Sequence, residues 1–213
     1  CGGCGFCGSV CPSGAIETDY PPLEFILTQT KKIVENYLIA GGKNPEILLH
    51  DSDYGNGMIS ILSRHFDGLP SNLIPYELHS TGRIGHDLIL SLIGLGYEKI
   101  YILIDPKLTS EQAHIPLQLD LAKSMIKGVV KSFNEDFIKI IDNNDPEEVS
   151  KVIYTNKNGL KIKNQFFNPL GKPRSIVRVA MQSLQQKNKT ELIKLPKGSP
   201  YGTLDVDQEK CTI

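Results

Sequence analysis

Tryptophan is absent from the 213 residues, and methionine is reduced to three. No cysteine occurs between positions 12 and 210, and no lysine or arginine before position 31. Each absence excludes a class of function. Without tryptophan, and with basic residues that do not interleave with aromatics, the chain lacks the profile of a nucleic-acid binder. No apolar run is long enough to span a bilayer, so no membrane partner is expected. The five histidines form neither H-x3-H nor H-E-x2-H, which argues against a histidine-based metal site. There is no G-x-S-x-G elbow and no P-loop, so hydrolysis and phosphate cradling have no support. The remaining composition, 40% hydrophobic and 22% charged, is that of an ordinary globular chain long enough for one or two domains.

What the middle of the chain lacks is concentrated at its start. Cys1, Cys4, Cys7 and Cys11 read C-x2-C-x2-C-x3-C, Pro12 follows, and Gly2, Gly3, Gly5, Gly8 and Gly14 lie among them. Thiolates at such spacing can turn inward onto one inorganic centre, and as soft ligands they suit iron–sulfur chemistry or zinc. Zinc sites usually join two C-x2-C pairs across a longer loop, which is missing here. Glycines let backbone N–H groups approach cluster sulfurs. From Cys1 to about Ile16 the segment resembles the two-cluster bacterial-type ferredoxins, which implies [4Fe–4S] clusters. In that family the fourth cysteine of a run serves the other cluster. The resemblance therefore implies that Cys1, Cys4 and Cys7 hold one cluster completed by an earlier run, and that Cys11 serves a second.

The chain closes on GTLDVDQEKCTI. In ferredoxin modules a strand and an acidic turn lead into the first cysteine of a run, so Cys211 is expected to be the opening ligand of a further site. On this reading the chain is an internal piece of a larger multi-cluster protein. Residues 1–20 form a partial cluster segment, 21–197 an α/β domain, and 198–213 the start of a second ferredoxin-type segment.

After Tyr20-Pro21-Pro22, a stiff connection, apolar residues recur at helical spacing from Leu23 to Leu38, and Gly41-Gly42 stops the pattern. Strands are predicted at 46–50, 73–78, 99–105, 137–142 and 191–195. Pro75 assigns the second to an edge or a bulge. KIYILID, 99–105, is expected to be central and buried on both faces. Helices are predicted around Met58–Phe66, Ile84–Ile93, Leu117–Val129, Pro146–Ile153 and Ile176–Leu184, with 154–172 as a long loop. Strands alternating with helices imply an α/β fold, a parallel sheet with helices on both faces. Residues 151–213 hold 12 Lys/Arg against 4 Asp/Glu, and residues 1–150 hold 11 against 20. This split could steer a charged redox partner.

In a parallel sheet, ligands gather beyond the carboxyl ends of the strands. His50, Asp51, Asp53, His79 and Asp105 are the candidates there. DYGNGMIS, 53–60, is an imperfect dinucleotide fingerprint, because Ser60 replaces the third glycine. Its plainer reading is a turn with Asp53 or Asn56 capping a helix. Ser80 or Thr81 is the expected cap of the helix near Ile84. Residues 78–104 are similar to a stretch in the delta subunit of methyl-viologen-reducing hydrogenase, with Ser80, Gly82 and Arg83 fitting its cysteine-Ser-Gly-Arg turn. The cysteine itself is missing, which implies a scaffold or docking platform.

The expectation is an iron–sulfur electron-transfer protein, a carrier or an electron-transfer subunit of an oxidoreductase. Its partner would be a redox enzyme or an electron-carrier protein, and cluster thiols place it in a reducing compartment, the cytoplasm. Two alternatives stay open. One is a flavin or substrate site on the rim at His50, Asp51, His79 and Asp105. The other is a zinc-stabilised interaction module.

Overall fold

The computed structural model describes residues 1–107, 112–130, 133–155, 159–162, 167–185, 192–202 and 206. A single turn, α1 (Phe6–Ser9), and a long helix, α2 (Leu23–Ile39), precede an alternating series. The series runs β1 (Glu46–His50), α3 (Tyr54–His65), β2 (Leu73–Glu77), α4 (His86–Gly94), β3 (Lys99–Leu103), α5 (Ile115–Val129), β4 (Ile138–Ile141), α6 (Pro146–Thr155) and α7 (Pro173–Leu184). The four strands pair in the order β2-β1-β3-β4, and every pairing is parallel. The fold is therefore α/β, as the alternation of patterns predicts.

Strand side chains alternate between two apolar layers. Ile47, Leu49, Ile100, Ile102 and Ile138 point to the side covered by α2, α4, α5 and α7. Leu48, Tyr101, Leu103 and Ile141 point to the side of α3 and α6. The division of helices is uneven, and α4 explains why. All nine of its residues are buried, because it packs against β3, α2, α5 and α7 at once. A helix apolar all round has to be enclosed all round.

β3 is buried throughout and lies between β1 and β4, as its apolar run predicts. Its first residue, Lys99, is buried too. Lys99 Nζ lies 3.7 Å from Glu46 Oε1 on β1 and 5.5 Å from the centre of the Tyr101 ring. Burial lowers its pKa, and the nearby Glu46 carboxylate partly offsets that. Pro75 sits on β2 at the sheet edge, where a missing N–H costs least.

Of the fifth predicted strand, 191–195, the described residues 192–195 form no strand. Residues 192–196 join no ladder, yet the burial of 192–195 alternates with a period of two. Ile193 and Leu195 pack on the core, while Leu192 is 78% exposed. Their neighbour is α5, where Ile193 lies against Gly128: a Cβ there would be 2.6 Å from Ile193 Cγ2. Alternation records a half-buried extended chain, and a helix can supply the burying surface as well as a sheet can. The predicted helices shift modestly: α3 begins at Tyr54, α4 begins at His86, and α7 begins at Pro173.

The enclosure of α4 sets a stability expectation. Ile89→Ala, inside the fully buried helix, should cost about 2–5 kcal/mol, whereas Ile61→Ala on the exposed side of α3 should cost under about 1 kcal/mol. Urea unfolding followed by circular dichroism measures both, and equal costs would contradict the packing described.

Candidate functional site

The cysteine run is a compact turn. Gly5, at φ 84°, leads into α1, Ser9 N donates to Gly5 O at 3.0 Å, and Cys11 N donates to Gly8 O at 3.2 Å. A side chain at Gly5 would be strained by that φ and crowded, since its Cβ would lie 3.1 Å from Arg83 Cβ. All four thiols are free, with Cys1 and Cys7 exposed and Cys4 and Cys11 half-buried. The Ser13 hydroxyl lies 3.5 Å from Cys11 Sγ, and hydrogen bonding there brings the Cys11 pKa down to about 7. Among the described residues, no three Cys, His, Asp or Glu side chains are grouped so that they could hold a metal ion. The donor set nevertheless fits a thiolate-bound metal: free sulfurs at the surface on a glycine-rich turn, one of them held near the thiolate form. Cys211 lies outside the described residues.

The run is seated on the α/β core through buried contacts. Ser9, only 7% exposed, directs its Oγ to Phe6 O at 2.8 Å, to Gly82 O at 3.2 Å and to His114 Nε2 at 3.1 Å. The Phe6 ring lies 4.4 Å from the His114 imidazole, centre to centre. Gly85, just before α4, is a close-approach position, because a Cβ there would be 2.6 Å from Ser9 O. The predicted cap at Ser80 acts one element earlier than expected. Its Oγ accepts from Gly82 N at 3.1 Å and closes the 3-10 turn Thr81–Arg83, while α4 itself starts after Gly85.

The segment leading towards Cys211 returns to the same corner. His86, the first residue of α4, places Nε2 2.7 Å from the Tyr201 hydroxyl and Nδ1 2.6 Å from Gln118 Oε1. Arg174 donates to Pro200 O at 3.5 Å, and the adjacent Pro173 lies against Gly14 of the cysteine segment. Residues 9, 14, 200 and 201 therefore meet around the starts of α4 and α7.

Two cavities adjoin this corner. The smaller, about 120 Å³, lies between the cysteine segment and the core and is lined by Gly8, Ser9, Arg83 and Asp87 among others. Asp87 is buried, and burial raises its pKa; the neighbouring His86 and Arg83 pull the other way. Burial lowers the pKa of Arg83, whose Nη1 donates to Thr18 O at 3.3 Å while its buried Nε has no partner among the described residues. The larger cavity is a crevice of about 380 Å³ beyond the carboxyl ends of β1 and β3, where neighbouring strands diverge in connection order. Gly2 and Cys4 form one wall, and Asp51, Asp53, His79, Thr81 and Asp105 contribute the others.

Of the rim residues expected to act together, Asp51, His79 and Asp105 do line one crevice, and Asp53 joins them. His50 does not: it is buried at the end of β1, with Nδ1 2.9 Å from Asp51 O and Gly55 packed on its Cβ. The cap of α3 also differs from expectation. Asp51 Oδ1, not Asp53 or Asn56, accepts from Gly55 N at 2.8 Å. Among the described residues no lysine or arginine lines the crevice, and its carboxylates would disfavour a phosphate-bearing flavin there. Sequence reasoning did not single out Ser9, His114, Asp87 or Tyr201. The serine between the third and fourth cysteines was a signal that could have been weighed; Tyr201 and His114 act across distances that no local pattern encodes. No protein-family model matches the chain, and no curated protein matches it.

The buried Asp87 carboxyl gives a pH expectation. Below its ordinary value of 3.8, folded and unfolded chains both hold the proton and burial of the group carries no ionisation penalty. As pH rises above that value, the unfolded chain releases its proton first, so folding loses stability until the raised folded-state pKa is passed. Asp87→Asn removes that loss. Its melting temperature should exceed that of the wild type at about pH 7 and match it at about pH 4. A lower melting temperature at neutral pH would show that the charge is stabilising.

Proposed function

We propose that the chain is an iron–sulfur electron-transfer protein whose N-terminal run binds [4Fe–4S] clusters through Cys1, Cys4, Cys7 and Cys11, with Cys211 contributing to a neighbouring site. The observation that carries this reading is the seating of four free thiols on a glycine-rich turn, fixed to the α/β core at Ser9 and Phe6. A bound cluster would supply one-electron exchange at a potential set by its surroundings. The chain's own contribution is mechanical and electrostatic. The turn presents the sulfurs at the surface, where a redox partner can approach closely. The core of parallel strands and covering helices holds that turn in one orientation. No lysine or arginine occurs in the first 30 residues, so the segment carries only negative side-chain charge there, which favours a basic partner surface.

No helix among the described residues is long and apolar enough to cross a membrane. Thiols kept free for a metal belong in a reducing compartment, and we assign the protein to the cytoplasm on that ground.

A second reading is favoured by the crevice that joins Cys4 to Asp51, His79 and Asp105. A small, phosphate-free molecule bound there would lie beside the proposed cluster and exchange electrons with it directly.

Anaerobic reconstitution of the full chain with iron and sulfide should yield a brown protein with acid-labile sulfide and a reduced-state EPR signal. Cys4→Ala should lower both iron and sulfide content. Zinc without acid-labile sulfide in anaerobically purified protein would overturn the proposal in favour of a zinc module. Saturable riboflavin binding without FMN binding would support the second reading.

A further inference from the structure

Ser9 stands between the third and fourth thiols of the run, two residues from each, and it is the most enclosed side chain of the segment. Its environment is not local. Gly82 lies 73 residues away in sequence and His114 lies 105 away, yet both reach the same hydroxyl. A hydroxyl carries one hydrogen and two lone pairs. Donation to Phe6 O, the shorter contact, leaves the lone pairs to receive the Nε2–H of His114, which selects that tautomer of the imidazole. The Phe6 ring lies against the same imidazole, 4.4 Å centre to centre. Gln112 Nε2 donates to Thr81 Oγ1 at 3.3 Å, so the approach to α5 and the Thr81–Arg83 turn are themselves tied together beneath the run.

This arrangement exceeds what anchoring a loop requires. Contacts at Gly5 and Gly85 already press the backbone of the run onto the core. The hydroxyl adds direction: it fixes the rotation of the turn from which Cys7 and Cys11 project. From this geometry we infer that Ser9 and His114 are a positioning pair for the metal site, through which the α/β core sets the relative placement of Cys7 and Cys11. The inference rests on the cluster reading for its spectroscopic consequence, but the positioning itself belongs to the protein alone. Ser9 and His114 touch no metal; they act through the two thiols.

The test uses the full chain and the variants Ser9→Ala, His114→Phe and His114→Gln, with Ser63→Ala as a remote control. Ser63 Oγ makes a comparable bond, to Ile59 O at 2.9 Å, on the exposed side of α3. In reconstituted protein, Ser9→Ala and His114→Phe should release iron to a chelator roughly tenfold faster than wild type, with an altered reduced-state EPR line shape. His114→Gln keeps a side-chain N–H for Ser9 and should restore much of the wild-type line shape. Unchanged line shape and release in both Ser9→Ala and His114→Phe would overturn the inference.

A readout without metal separates this from the cluster reading itself. In reduced, metal-free protein, Ser9→Ala should raise the rate of iodoacetamide labelling at Cys7 and Cys11 several-fold while leaving Cys1 unchanged, resolved by peptide mass spectrometry. If wild type takes up no cluster, the proposed function fails while the labelling experiment still decides the positioning role. Uniform labelling changes across Cys1, Cys7 and Cys11, or none, would sink it. Circular dichroism of each variant excludes global unfolding as the cause.

Discussion

Helix α4 is enclosed on every side, and the rest of the structure is organised by that enclosure. A helix with no solvent-facing flank can meet other parts of the chain only at its ends. Its start, Gly85-His86-Asp87, is where the cysteine segment and residues 196–202 arrive. Gly85 admits the Ser9 backbone, His86 holds Tyr201, and Asp87 lines the cavity beneath the run. Three consecutive residues thus receive chain segments almost 200 positions apart, and they can do so because the packing of α2, α5 and α7 leaves α4 no freedom to rotate. The metal-binding end that we propose is therefore only as well defined as the apolar layer behind it.

Much of this was legible in the residue pattern, for reasons that are physical. The alternation of short apolar runs with 3.6-period segments identified four strands and the longer helices, because a doubly covered parallel sheet leaves no other distribution of apolar side chains. Pro75 marked an edge, and the unbroken apolar stretch after Lys99 marked the centre. The 191–195 segment was misread because period two reports half-burial of an extended chain, not a ladder. The cap assignment at Ser80 missed by one element and that at Asp53 by two residues of the same helix start, since several acceptors crowd each turn and tertiary contacts choose among them. At the candidate site, the thiols and their spacing were legible directly. The seating of those thiols depends on Gly82, Gly85 and His114, whose roles arise only when distant segments meet.

The charged groups of the interior follow the same division. Lys99 and Glu46 face each other at the amino-terminal end of the sheet, far from the cysteine segment in register, and each is pushed toward neutrality by burial. Such pairs contribute little net stability and are costly to break singly. Asp87 and Arg83, by contrast, line one cavity without forming an ion pair. Burial weakens the charge of both groups, so the cavity they line is polar without holding a paired ion.

Pro75 carries a consequence for how the molecule meets others of its kind. An exposed strand edge is an open invitation to sheet extension, by a second copy or by a foreign peptide. On β2 the proline interrupts the row of backbone donors, so an incoming strand would find a gap midway along the five residues. Growth of the sheet on that flank is discouraged. Association through the glycine-rich thiol face, which we propose exchanges electrons with a partner, is left without that competitor.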